Sequence, residues 1–269
     1  MPRTLGQFGA VLSRKRPASW VASLAAIGLI AVMPAQAAPD ITGVWNRYPP
    51  YPDTFSKEPE PPELQLVEPP LREPHLRAWR AMQKRRADAD AAGKPLPTPS
   101  SKCRPEGMPG IMGAHYALEL LQSQRQVTVL AEFMSQARRI YLDEAMPPTG
   151  EVEPTYNGYA VGTWSGDTLL VTTLGVRPDV LYSDIPHSDK MKISERMQLV
   201  APDILQDDIT IEDPEYLTGP YRFTFKYRRE KPDYKIAEYV CDNDRGVIEK
   251  DGSMNIRTDG ERGRQASRK

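Results

Sequence analysis

The chain carries 269 residues, 35 of them Lys or Arg and 36 Asp or Glu, and 39% of it is hydrophobic. Phosphate backbones demand a concentrated basic surface, so this balance argues against a nucleic-acid partner and gives no support to membrane adsorption. Two cysteines and three histidines, with no H-x-H or H-x-x-x-H spacing, also leave no metal-ligand pattern.

Residues 1–37 read as an export signal. Arg3, Arg14, Lys15 and Arg16 form a basic head, Val21 to Met33 a short apolar run, and Ala35-Gln36-Ala37 a small-x-small cleavage site. The run is too short to span a bilayer and no stop-transfer pattern or lipid-accepting Cys follows it. A retained anchor is the alternative reading. Cleavage leaves 31 basic residues against 36 acidic, a net charge of −5. The expected address is the periplasm or the exterior, without stable membrane insertion after cleavage.

Taken in order, Ile41 to Tyr48 opens the mature chain as a short strand, with Ile41, Gly43 and Trp45 on one face. Eight prolines between Pro49 and Pro70 then remove ladder donors and fix φ, predicting an extended strap. Pro74 to Ala92 predicts one short helix with Leu76, Trp79 and Met82 on its apolar face. Its basic face, Arg77 to Arg86, reads as solvated. Cys103 to Tyr116, rich in Gly, Met and Pro, reads as a packed irregular loop, and its His115 as an ordinary polar residue.

Strands are expected over Gln126–Phe133, Arg138–Asp143, Met191–Val200, Asp207–Asp213, Tyr221–Arg229 and Tyr234–Asp242. Between the second and third lies the hairpin Tyr159–Thr173, turning at Ser165-Gly166-Asp167. With the opener this makes about nine strands and no crossover helix, which predicts an all-β, antiparallel up-and-down barrel. The domain plan is a signal at 1–37, first strand, strap and helix at 38–102, barrel at 103–243, and a polar tail at 244–269 expected to be disordered. Cys103 and Cys241 are expected to pair in an oxidising compartment; free thiols or a metal pair are the alternatives. Loop-entropy reasoning puts such a staple at roughly 5 kcal/mol.

Gly43-Val44-Trp45 resembles the Gly-x-Trp opening of lipocalins and other calycins, in which an Arg from a late strand packs over the Trp; Arg228 and Arg229 are the candidates. The set Arg139-Ile140-Tyr141-Leu142-Asp143, Gly162 to Leu169, Pro186-His187-Ser188-Asp189 with Glu195-Arg196, and Tyr239-Val240-Cys241 is similar to motifs of secreted bacterial lipocalin-like proteins. The resemblance covers roughly residues 103–242 and implies a fold and a compartment, not an activity.

Two residues stand out as candidate acid–base groups. Glu195 alternates with Met191, Ile193, Met197 and Leu199, so it should point into the barrel, where a carboxylate must be paired, hydrogen-bonded or protonated. Arg138, with Ile140 and Leu142 on its face, is the candidate partner. The pair reads either as a ligand anchor or as a structural ion pair. His187, in a loop beside Ser188 and Asp189, is a candidate general base or a capping histidine. Arg139, Tyr141, Tyr156 and Trp164 join Arg138 as candidate ligand-lining residues. No cofactor motif is present. The expected function is binding of a small apolar or aromatic molecule in the cavity. The alternatives are a cofactor-independent lyase, isomerase or hydrolase, with His187 or Glu195 as base, and a docking protein whose barrel is filled.

Overall fold

A computed structural model describes residues 38–52, 60–241, 246–248, 250–252 and 254–256. The signal expected at 1–37, part of the proline-rich segment and most of the tail lie outside the described residues. Among the described residues the chain is mostly β, with one α-helix. Nine strands close a barrel in sequence order: β1 (Gly43–Arg47), β2 (Leu118–Gln122), β3 (Gln126–Ala131), β4 (Gln136–Leu142), β5 (Tyr159–Ser165), β6 (Thr168–Leu174), β7 (Lys192–Ala201), β8 (Ile204–Glu212) and β9 (Tyr221–Arg229). The last strand returns to the first through Trp45↔Arg229 and Arg47↔Tyr227.

Three expectations need correction. The β4–β5 pair is parallel, through Ile140↔Ala160 and Leu142↔Gly162, so the sheet is not antiparallel throughout. The Pro/Gly-rich connection between Asp143 and Gly158 is long enough to bring the chain back to the same end before β5 starts. Residues 234–241 form no strand, against the strand predicted over Tyr234–Asp242, whose last residue lies outside the described residues. The ninth strand is instead β2, whose Leu118 and Leu120 face the core while Leu121 is exposed. In the tail, β10 (Gly246–Ile248) and β11 (Met254–Ile256) pair antiparallel, where no ordered element was expected.

Alternation drives the barrel. Ile193, Glu195 and Met197 on β7, and Leu205, Asp207, Ile209 and Ile211 on β8, are buried while their neighbours are partly or fully exposed. The turn Gly166-Asp167 joins β5 and β6 through the Ser165↔Thr168 pair, with Gly166 at φ +59°. The inside is filled. Met108, Ile111 and Met112, from the loop before β2, are fully buried in one core cluster with Trp45 and Leu118, and the Tyr227 hydroxyl donates to the Met112 carbonyl at 2.8 Å.

At one end Trp45 is fully buried and its Nε1 donates to the Ile41 carbonyl at 3.0 Å. Arg229, not Arg228, lies over the Trp45 ring at 4.2 Å and donates to the Thr42 carbonyl. Gly43 (φ +141°) permits this approach, since a Cβ there would sit 3.0 Å from Arg229 Nη1. The disulfide Cys103–Cys241 ties the entry of the filling loop to the segment after β9.

The helix, α1 (His75–Ala91), buries Trp79 alone. That stripe is narrow, so its anchoring is polar. Trp79 Nε1 donates to the Ser183 carbonyl at 3.0 Å, Gln83 Nε2 to the same oxygen at 3.2 Å, and Arg86 grips the Asp184 carboxylate through Nε and Nη2. Ser183 and Asp184 both have positive φ, forming the tight turn between Tyr182 and Ile185. Helix α1 therefore fixes the turn that presents Tyr182.

Candidate functional site

The predicted Glu195–Arg138 pair exists. Arg138 Nη1 donates to Glu195 Oε1 at 2.8 Å, Nη2 donates to Oε2, and Nη2 also reaches Thr173 Oγ1 at 3.1 Å. The guanidinium crosses from β4 towards β6 and β7 past β5, which turns only Ala160 and Gly162 inward near it. A Cβ on Gly162 would lie 2.8 Å from Ile140 Cγ2. Burial opposes the Arg138 charge, but Glu195 more than offsets it, so Arg138 stays firmly protonated.

A third group shares this interior. Asp207, with Glu195 and Arg138, is at most 1% exposed. Burial first, and the Glu195 carboxylate second, push its pKa well above the usual carboxylate range. Its oxygens meet no partner in strict hydrogen-bond geometry, although Glu195 is near enough to disfavour a second negative charge. One guanidinium and two carboxyl groups, that of Asp207 held towards its protonated form, thus share an interior that solvent barely touches. This arrangement can hold the barrel wall together.

His187 is equally enclosed. Its Nδ1 lies 2.9 Å from the Ser188 carbonyl and its Nε2 2.8 Å from the Val180 carbonyl. The adjoining void, shared with Met191 and Ile211, is about 20 Å³, roughly the room one water needs. Next to it, Asp213 accepts from the Ser188 amide at 2.6 Å and hydroxyl at 3.1 Å. Both ring nitrogens face carbonyls, so the ring pins the loop and offers no free nitrogen to a substrate.

Other predicted lining residues disperse. Arg139 is exposed, and Tyr141 stacks on Tyr159 at 5.2 Å on the same outer face. Tyr156 is half-buried under the Arg177 guanidinium at 4.8 Å. Trp164 packs against the core, its buried Nε1 without a partner. None of the four joins the Arg138–Glu195 group.

An open space lined by aromatic rings lies at the end of the barrel where β1 stops. There a recess of about 540 Å³ is lined by Arg47, Tyr51, Glu106, His115, Tyr182 and Phe225, with residues 60–66 across one side. Tyr51 stacks on His115 at 3.6 Å and its hydroxyl donates to the Gly113 carbonyl at 3.2 Å. Arg47 lies over Phe225 at 4.3 Å. Burial raises the Glu106 pKa, against a Ser100 hydrogen bond that lowers it; burial and the nearby Arg47 lower that of His115. A second recess of about 440 Å³ adjoins it along the Tyr221–Lys226 part of β9, bounded by residues 62–67 and sharing Tyr182 and Phe225. Burial pushes the Tyr221 phenol there up to about 12, and its hydroxyl donates to the Val67 carbonyl at 2.7 Å.

Fold and site together define a filled nine-stranded barrel with an aromatic recess at one end. No protein-family model matches the chain, and no curated protein matches it. Among the described residues, no group of three or more His, Cys, Asp or Glu side chains could hold a metal ion, and no helix is long and apolar enough to cross a membrane.

Asp207 was legible in the same alternation that exposed Glu195, because it shares a face with Leu205 and Ile209. Arg47 follows Gly43 and Trp45 on one face of β1. Glu106 and Tyr182 carry no such signal, since both come from irregular loops that only the closed barrel brings together.

Proposed function

We propose that this chain is a secreted or periplasmic, lipocalin-like barrel whose end recess binds a small aromatic or apolar molecule. The observation that supports it is the recess of about 540 Å³ walled by Tyr51, His115, Tyr182 and Phe225, within the usual size range of small-molecule sites. The Gly43-x-Trp45 corner with Arg229 over the indole supports the lipocalin-like part, and the disulfide fits an oxidising compartment. In this reading the proline-rich segment is a strap, its residues 60–67 covering the recess mouth, and residues 1–37 direct export. Native mass spectrometry of the mature protein, purified gently from periplasm, tests it: a retained small molecule lost on Phe225→Ala supports the reading. An apo mass, together with no thermal shift from an aromatic ligand panel, would sink it.

One observation favours a second reading, a cofactor-independent lyase, isomerase or hydrolase. Glu106 is raised and His115 lowered in the same recess, which draws an acid and a base towards each other in pKa. Here these two, rather than His187 and Glu195, would move the proton. Turnover abolished by Glu106→Gln or His115→Ala in a folded protein would establish it; turnover indifferent to both changes would remove it.

A further inference from the structure

Among the described residues two arginines are buried, and they are treated differently. Arg138 has Glu195. Arg47 is 6% exposed, and no carboxylate of the described residues lies within ion-pair distance of it. Among the described residues its one hydrogen bond runs from Nη1 to the Lys226 carbonyl at 3.2 Å, and its buried Nε meets no partner. The rings of Phe225 at 4.3 Å, Tyr227 at 5.6 Å and Tyr51 at 5.9 Å surround the guanidinium. Aromatic faces offset part of the desolvation of a cation, but a buried unpaired charge is still costly. A guanidinium has five N–H donors in a planar fork suited to a carboxylate.

The described acids of the same recess are not paired with it. Burial raises the pKa of Glu106 and of Glu60, and neither sits within ion-pair distance of Arg47. Among the described residues the recess thus offers one buried cation without an ion-pair partner, set among flat rings.

We propose that the end recess takes a planar aromatic carboxylate, its carboxylate on the Arg47 guanidinium and its ring among Tyr51, His115, Tyr182 and Phe225. This rests on the ligand-binding reading above and adds the chemical class. The ring supplies apolar and stacking contact, and the carboxylate completes the charge that the fold leaves open. Acetate has the charge without the ring, and a neutral aromatic amide has the ring without the charge, so both should bind less well.

Titration calorimetry of the mature, disulfide-intact chain with 1-naphthoate, 1-naphthamide and acetate tests this. The expected order is naphthoate tightest, naphthamide weaker, acetate undetected. Arg47→Met should weaken naphthoate about tenfold or more, the range for losing a charge-assisted hydrogen bond, and leave naphthamide within about twofold. Arg47→Lys, which keeps the charge but not the fork, should fall between. Equal binding of naphthoate and naphthamide, unaffected by Arg47→Met, would overturn the carboxylate assignment and leave the recess as a neutral aromatic site. Binding of none of the three would overturn the recess reading as well. Should Arg47→Met not fold, the naphthoate-to-naphthamide ratio on the unaltered protein decides alone.

Discussion

The sealed set Arg138, Glu195 and Asp207 makes a prediction that ordinary salt-bridge reasoning does not. Removing the cation by Arg138→Met leaves the Glu195 carboxylate buried without a counter-ion, a loss of about 3–5 kcal/mol. Glu195→Gln should cost less, about 1–2 kcal/mol for the charge-assisted bonds, because Asp207 can release its proton and become the new counter-ion. The double change Glu195→Gln with Asp207→Asn strips Arg138 of both acids, so it should again cost about 3–5 kcal/mol. The effect is non-additive because the three groups share one neutral balance.

The pH dependence follows from the same proton. Below about pH 4, the ordinary Asp pKa, Asp207 is protonated folded and unfolded, and its contribution is fully present. As pH rises, the unfolded chain loses that proton while the folded chain keeps it. Stability therefore falls with pH, by up to about 1.4 kcal/mol per unit, until the raised folded pKa is reached. Asp207→Asn should remove this slope and make the protein more stable than the unaltered chain at pH 7. Urea unfolding followed by circular dichroism at pH 4, 5.5 and 7, with the disulfide intact, reads all four variants. Equal losses for Glu195→Gln and the double variant, or an unchanged pH slope in Asp207→Asn, would refute the shared-proton account.

Replacing Cys103 and Cys241 together by Ser should lower stability by about 2–4 kcal/mol, read as a shifted urea midpoint; an unchanged midpoint would mean the segment after β9 is held by its other contacts. Gly162→Ala pushes a methyl against Ile140 and Leu169 and should cost about 1–3 kcal/mol, seen as a lower melting temperature. Trp79→Leu frees the Ser183 carbonyl of its Nε1 bond, so hydrogen exchange over residues 181–185 should quicken and aromatic ligands should bind more weakly, with barrel strands little altered; protection retained in that turn would show the helix is not its support. His187→Gln should lower the melting temperature while leaving ligand affinity intact, and a selective loss of affinity would instead put His187 in the site.

How much of this was legible beforehand depends on where each residue sits. On strands, the two-residue period is enough: Ile193, Glu195 and Met197 must share a face, so an inward carboxylate and its need for a partner could be read directly. The same logic reached Arg138 through Ile140 and Leu142. It failed for residues 234–241, whose Tyr239-Val240-Cys241 pattern looks like strand but is drawn along the surface by the disulfide and by Glu132, which accepts from the Ala237 amide. It also passed over Leu118–Gln122, which lies directly after an irregular loop and has no turn signal ahead of it.

The sequence alone pointed to a barrel, an inward carboxylate with Arg138 as its candidate partner and a cysteine pair, because alternation and pairing chemistry act between neighbours in the chain or across a predictable wall. Tertiary structure decided what the barrel contains and where a ligand could enter. Met108, Ile111 and Met112 come from a loop without periodicity, and only closure of the sheet shows that they fill the interior. Arg47, Glu106, His115, Tyr182 and Phe225 are spread over nearly 180 residues, and their meeting at one end is set by how β1, the filling loop, the turn held by α1, and β9 converge. Local rules do not reach that distance; packing does.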